Sequence, residues 1–146
     1  MNEEQIIKEI EKVLELNSET ELVECKNASG GFPKDPVAQT LSAFGNTKGG
    51  IIAFGINECD DRTLRVIGLE DIANIQERMI ALAAEEMSEA LRLEYSVVEI
   101  KGKNIFTVYV PECNNHIKPY HIKKLGMDRG AYVRDGSTDR KMTVDE

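Results

Sequence analysis

The segment 46–50, Asn-Thr-Lys-Gly-Gly, has the residue types of a phosphate-contacting loop. Its glycines let a ligand approach the backbone closely, and its amide, hydroxyl and ammonium groups offer hydrogen bonds and a positive charge. It is not a Walker A motif, because that motif runs from a strand into a helix and here the order is reversed, so ATP hydrolysis is not predicted. We predict that Asn46, Thr47, Lys48, Gly49 and Gly50 contact phosphate. The alternative is a glycine turn that only the local geometry requires.

A second group of candidate phosphate ligands lies near the C-terminus, where a predicted strand ends in a tight turn. Arg134, Ser137 and Thr138 supply a guanidinium fork and two hydroxyls, which suit phosphate oxygens. Lys118 precedes them, and Lys26 lies on an N-terminal strand face that it shares with Glu24. A solvent-exposed turn and a surface ion pair are the alternatives for these groups.

Four acidic residues define a different candidate site. Glu19 and Glu24 are five positions apart, and Glu58 and Asp60 follow the predicted central strand. If neighbouring strands bring them together, three carboxylates could hold Mg²⁺ or Mn²⁺ and activate water for phosphodiester cleavage. In a straight strand Glu19 and Glu24 would be roughly 16 Å apart, so the chain must curl between them.

The cysteines and histidines do not predict a metal centre. Cys25, Cys59 and Cys113 are far apart and form no C-x-x-C pair, which predicts reduced thiols. Cys113, His116 and His121 have zinc-like spacing but lack the paired fourth ligand of a closed site.

Composition predicts one globular domain spanning residues 1–146. Hydrophobic residues make up 41% and charged residues 30% of the chain, which excludes collagen-like and wholly disordered proteins. The net charge of -8 argues against a uniformly basic nucleic-acid coat. The charge is uneven, however: residues 1–24 carry eight acids and two lysines, and residues 116–141 carry seven bases and three acids. No apolar run approaches the roughly 20 residues of a membrane span and no secretory signal is evident, so we predict a cytoplasmic protein.

Periodicity places these residues on an alternation of helices and strands. Helices are predicted over 3–16, from Asp35 to about Asn46, and over 70–91. Strands are predicted over 21–26, 51–56, 64–67, 93–100, 104–110 and 130–134, with a hairpin at 101–103. The continuous apolar run 51–56 is typical of a central strand covered on both faces. This order predicts an α+β fold, a mixed β-sheet packed with about three helices in two or three layers.

Taken together, several ordered segments resemble the Schlafen-type AlbA-like domain, over about residues 17–140. They are Glu19-x4-Glu24-Cys25-Lys26 and residues 41–56, 67–69, 110–111, 118–119 and 132–138. The block 43–56 is the most specific, although Gly45 stands where the family usually has alanine.

The resemblance implies an AlbA-like/Schlafen-core sandwich that forms the N-terminal part of a longer protein. Bacterial and archaeal proteins with this domain are described as transcriptional regulators, RecG-related helicase-like proteins or divergent AAA proteins. We therefore expect a nucleic-acid-binding module without catalytic residues, favouring DNA over RNA, and compatible with a homodimer.

Two alternatives remain. In animal Schlafen proteins a related core cleaves RNA with three acids. Glu19 and Glu24 match the first two, and Glu58 or Asp60 would have to supply the third, because Asn57 directly follows the strand. The chain would then be a metal-dependent endonuclease for tRNA or DNA. The other alternative is a non-catalytic dimerisation or nucleotide-sensing domain.

Overall fold

The computed structural model describes residues 1–143 and 146. Its helices α1 to α4 span, in chain order, Glu3–Leu16, Lys34–Asn46, Ile72–Glu85 and Gly126–Gly130. α1 confirms the amphipathic pattern and begins with a reciprocal cap. Asn2 accepts the backbone N–H of Gln5 through its side chain, and Gln5 returns the bond to Asn2. No helix within the described part of the chain is long and apolar enough to cross a bilayer.

The strands β1 to β8 span Val23–Lys26, Gly50–Phe54, Ile56–Glu58, Leu64–Val66, Glu94–Ile100, Lys103–Val110, Tyr132–Asp135 and Thr138–Lys141. Four of them form one sheet in the order β1-β2-β6-β5. β1 runs parallel to β2, and the other pairs are antiparallel. β3 pairs with β4, and β7 pairs with β8, in separate two-stranded sheets. The predicted α+β fold with a mixed sheet is therefore confirmed.

Hydrophobic clusters cover both faces of the four-stranded sheet. α2 and α3 pack over one face, against Ile52 and Phe54. α1 and the β3–β4 hairpin pack over the other face, against Ile51 and Ala53. Because successive side chains of a strand point to opposite faces, a strand buried on both sides must be apolar throughout. β2 is buried along its whole length, as its apolar run predicted.

The predicted central strand is shorter than expected, because it breaks at Gly55. This glycine has a φ of +111°, a conformation that other residues rarely adopt. Its carbonyl accepts the N–H groups of Ile67 and Gly68 at 2.8 and 3.0 Å. The chain thereby leaves the main sheet after Phe54 and begins the β3–β4 hairpin.

Two helix boundaries also differ from expectation. α2 begins at Lys34, one residue before the predicted Asp35, and no side chain among the described residues caps its first turn. The helix predicted to run to residue 91 ends at Glu85. Beyond it, Ser88 donates its N–H to the carbonyl of His121 at 2.8 Å. Tertiary pairing with a distant segment therefore overrides the helical periodicity at this end.

Candidate functional site

Arg134 on β7 lies at the centre of a buried charge network. Its side chain has no solvent exposure. Nη1 donates to Glu24 Oε1 at 2.6 Å and to Asp139 Oδ1 at 2.9 Å. Nη2 donates to the carbonyls of Thr20 at 2.7 Å and Val23 at 3.1 Å. The guanidinium carbon also lies 5.0 Å from the centroid of the Phe44 ring, in cation–π range.

This burial does not fit the role that the sequence predicts for Arg134. A guanidinium that binds a phosphate must turn at least two N–H groups toward solvent. Both Nη atoms of Arg134 are already engaged with carboxylates and carbonyls of the chain itself. Arg134 therefore joins distant parts of the fold through bonds within the chain itself.

Glu19 and Glu24 do come together, as the acidic-site hypothesis required. Burial, the charge of Glu24 and a hydrogen bond with Glu24 raise the pKa of Glu19 from 4.5 to about 8. Burial alone would raise the pKa of Glu24 as well. Lys26, the hydrogen bond from Glu19 and Arg134 outweigh that effect and lower it. The pair thus holds one proton near neutral pH, with Glu19 neutral and Glu24 ionised.

Glu19 and Arg134 also form hydrogen bonds with outward-facing backbone groups of β1. Glu19 Oε2 accepts the N–H of Cys25 at 2.6 Å, and Arg134 donates to the carbonyl of Val23. Side chains therefore replace the strand that would otherwise pair there. Burial raises the pKa of the Cys25 thiol, and the two neighbouring carboxyl groups add to this, so the thiol stays protonated.

The four candidate acidic residues are not all brought together. Glu19 and Glu58 line one cavity of about 310 Å³, but Glu24 and Asp60 are not among its lining residues. Lys26 Nζ lies 3.2 Å from Glu24 Oε2, and Arg134 holds the other oxygen. Both oxygens of Glu24 are thus paired with cationic side chains of the chain itself. Among residues 1–143 and 146, no group of three acidic, histidine or cysteine side chains is placed to bind a metal.

Asn46 and Thr47 bind the protein's own backbone. The Asn46 amide nitrogen donates to the carbonyls of Tyr120 at 2.9 Å and Tyr132 at 2.8 Å. Its oxygen accepts the N–H of Tyr120 at 2.8 Å. Thr47 Oγ1 accepts the N–H of Arg134 at 2.9 Å. These bonds fasten the end of α2 to the C-terminal segment.

The two glycines of the loop are explained by close packing. A Cβ atom on Gly49, whose φ is +76°, would lie 2.6 Å from the carbonyl oxygen of Val110. A Cβ atom on Gly50 would lie 2.5 Å from the Phe44 ring. The alternative of a turn required by local geometry therefore accounts for both positions.

The remaining candidates have side chains that solvent can reach. Lys48 is 69% exposed, and its Nζ lies 3.3 Å from Glu21 Oε1. Ser137 and Thr138 are exposed around the β7–β8 turn. Lys26 borders the same region through Glu24 and Arg134. Because Thr47 bonds to Arg134, these elements adjoin, and we call Lys26, Lys48, Ser137 and Thr138 the hairpin face.

Lys118 pairs with Glu112 at 2.8 Å, and its side chain is 24% exposed. Glu112 adjoins Gly49, since its amide nitrogen is 3.0 Å from the position of a Cβ atom there. Of the ten predicted ligands, Lys48, Ser137 and Thr138 are exposed, while the side chains of Lys26 and Lys118 are 15% and 24% exposed. Each of these three lysines has a carboxylate partner within 3.3 Å.

Sequence reasoning missed Asp139 as a functional partner of Arg134. Asp139 bridges Arg134 and the hydroxyl of Thr40, which donates to it at 2.6 Å. A two-residue turn at 136–137 places Arg134 directly opposite Asp139 in the β7–β8 register. Glycine at the first position of a two-residue turn is typical of a type II′ hairpin, and Gly136 has a φ of +61°, so this contact could have been found from the sequence.

The chain belongs to the Schlafen, AlbA_2 family, whose pattern matches residues 19–143. No functionally curated protein matches it. Among solved structures, it is similar to the N-terminal domain of a Nitrosomonas europaea protein named as related to the ATP-dependent DNA helicase RecG, determined by solution NMR. The identity is 28% and the TM-score 0.71, over 99% of this chain and 95% of that domain.

A second similar structure supports the fold alone. It is the crystal structure of the DIP2311 protein from Corynebacterium diphtheriae, with 20% identity and a TM-score of 0.61. The match covers 95% of this chain but 26% of that one. The fold therefore also occurs as one part of a much longer chain.

Replacing Arg134 should destabilise the protein far more than replacing a neighbouring arginine. Arg134→Met leaves two buried carboxylates and two carbonyls without their partner, and we expect a loss of about 3–5 kcal/mol in the free energy of unfolding. Arg140 also pairs with two carboxylates but is solvent-exposed. Arg140→Met should therefore cost far less. Urea unfolding measures both, and similar small losses would show that the Arg134 network contributes little.

Protonation of Glu19 should make stability fall with rising pH. Between pH 4.5 and about 8 the folded protein holds a proton that the unfolded chain releases, so unfolding becomes easier through this window. Glu19→Gln keeps an oxygen to accept from Cys25 and adds a donor toward Glu24. We expect the variant to be more stable than the parent by about 1–2 kcal/mol at pH 8, a figure reduced because Glu19 retains solvent contact.

The control for this prediction is the range below pH 4.5, where Glu19 is protonated in both the folded and the unfolded chain. There the parent and the Gln variant should have similar free energies of unfolding. Urea unfolding across pH 4 to 9 makes the comparison. A parent whose stability rises steadily between pH 5 and 8, with no gain from Glu19→Gln, would contradict the shared proton.

Proposed function

We propose that this chain is a nucleic-acid-binding module of a transcriptional regulator or helicase-related protein in the cytoplasm. Its hairpin face contacts the phosphate backbone, and DNA is the expected polymer. The observation that carries the proposal is the exposed Lys48, which follows the Thr47 that bonds to β7, in a domain that resembles the N-terminal domain of a RecG-related protein.

Lys48 supports this function because its ammonium group is both charged and accessible. It extends from the end of α2, at a point fixed by the Thr47–Arg134 bond. A surface ion pair such as Lys48–Glu21 contributes little free energy in water, so a phosphate can compete for the lysine. To contact the Lys48 ammonium group, a phosphate must displace the Glu21 carboxylate or bind beside it.

The exposed hydroxyls of Ser137 and Thr138, at the β7–β8 turn, add neutral donors. Contacts of this kind to phosphate position a protein on nucleic acid but read no sequence. Lys26 and Lys118 are less exposed than Lys48, and each is paired with a carboxylate. Such a surface fits modest affinity with little sequence preference in this domain alone.

Charge changes at the Lys48–Glu21 pair should shift affinity in opposite directions. Lys48→Ala removes a phosphate partner and should weaken binding about three- to tenfold, with the slope of log K against log salt falling by about one. Glu21→Gln frees the lysine and removes a repelling charge, so it should tighten binding. Lys12 on α1 is a matched control, because it is 60% exposed and pairs with Glu9 at 3.6 Å.

The assay is fluorescence anisotropy with labelled duplex DNA, single-stranded DNA and tRNA at several salt concentrations. Lys12→Ala should leave affinity and salt slope nearly unchanged. Equal effects of Lys48→Ala and Lys12→Ala would mean that binding depends on net charge and not on the hairpin face. Undetectable binding to all three polymers at low salt would contradict the proposed function itself.

A further inference from the structure

The two edges of the four-stranded sheet are finished in different ways. At β1, side chains occupy the outward backbone groups: Glu19 accepts from Cys25, and Arg134 donates to Val23. At the other edge, β5 pairs with β6 along all seven of its residues, from Glu94 to Ile100. Within the described chain no strand lies on the far side of β5. Open edges of this length are unusual, because natural proteins normally shorten, bend or cover them.

The hairpin turn determines which groups of β5 point outward. Lys101 and Gly102 both have positive φ, 52° and 77°, as in a type I′ turn. Ile100 and Lys103 therefore form a mutually hydrogen-bonded pair, and the pattern alternates along the strand. It follows that Tyr95, Val97 and Glu99 direct their N–H and C=O groups away from β6.

The residues that point outward from β5 can also pair with the same residues of a second copy of the chain. Val97 is 45% exposed, one of the few large apolar side chains at the surface. A twofold axis through Val97, perpendicular to the sheet, would set Val97 against the partner's Val97. Tyr95 would then lie opposite the partner's Glu99, where the phenol can donate to the carboxylate.

No carboxylate faces a carboxylate in this register. On the other face of the sheet, Glu94 would lie opposite the partner's Ile100, and Ser96 opposite the partner's Val98. Three outward pairs would exchange about six backbone hydrogen bonds. Like charges directly opposite one another are unfavourable, so registers centred on Val97 are preferred over registers that pair the acids.

We infer that the free edge of β5 is the docking surface for a second copy of this chain. The two β5 strands pair antiparallel about Val97, and the two sheets become one eight-stranded sheet. The interface is isologous, as in most twofold dimers. This inference does not depend on nucleic-acid binding.

Hydrogen exchange distinguishes this interface from any other. The amides of Ser96, Val98 and Ile100 bond to β6 and should be protected at every protein concentration. Those of Tyr95, Val97 and Glu99 should become protected only as the mass in solution rises from 16.3 kDa to twice that value. The mass is measured by analytical ultracentrifugation, and exchange by NMR, across the micromolar to millimolar range.

A variant at the twofold axis supplies the second test. Val97→Lys places two ammonium groups against each other and should weaken dimerisation at least about tenfold. Ile80→Lys is the matched control, since Ile80 is 43% exposed on α3 and should leave dimerisation unchanged. Circular dichroism verifies that both variants are folded.

Three outcomes would overturn the inference. The first is a monomer at every concentration. The second is a dimer in which the amides of Tyr95, Val97 and Glu99 still exchange freely. The third is a folded Val97→Lys variant that dimerises as the parent does.

Discussion

A single buried positive charge, that of Arg134, joins parts of the chain that are distant in sequence. It bonds to Glu24 and Val23 on β1, to Thr20 in the preceding loop and to Asp139 on β8. A guanidinium stays charged throughout the accessible pH range, so Arg134 cannot lose its charge by releasing a proton. Its carboxylate partners must therefore balance that charge. Arg134 Nε is buried without a hydrogen-bond partner among the described residues. The bonds of the two Nη atoms and the Phe44 ring offset that cost.

Features set by local periodicity could be read from the sequence. The structure contains three such features, each of which depends on residues close together in the chain. They are the apolar stripe of α1, the uniform burial of β2 and the turn at 101–102. The role of Arg134 depends on Glu24, 110 positions away. The premature end of α3 depends on His121, 33 positions beyond Ser88. Local pattern carries no information about such partners, so sequence reasoning placed Arg134 on the surface.

The loop 46–50 illustrates why residue types alone cannot distinguish binding from architecture. A side-chain amide that can hydrogen-bond a phosphate can equally hydrogen-bond a peptide group. Asn46 does the latter, with the backbone of Tyr120 and Tyr132. A glycine that admits a ligand equally admits a carbonyl or an aromatic ring. Exposure separates the two uses. By that criterion Lys48 is the member of the loop that remains free to meet a ligand.

Under the proposed function, the paired lysines determine how this acidic chain would meet a polyanion. At long range the net charge of -8 repels nucleic acid, and each lysine of the hairpin face is neutralised by its carboxylate partner. Attraction begins only at contact, when phosphates replace those carboxylates. Added salt then has two opposing effects: it screens the long-range repulsion that slows encounter, and it weakens the short-range contacts that hold the complex. Encounter rate and affinity should therefore respond to salt in opposite directions, unlike those of a basic protein, for which both fall together.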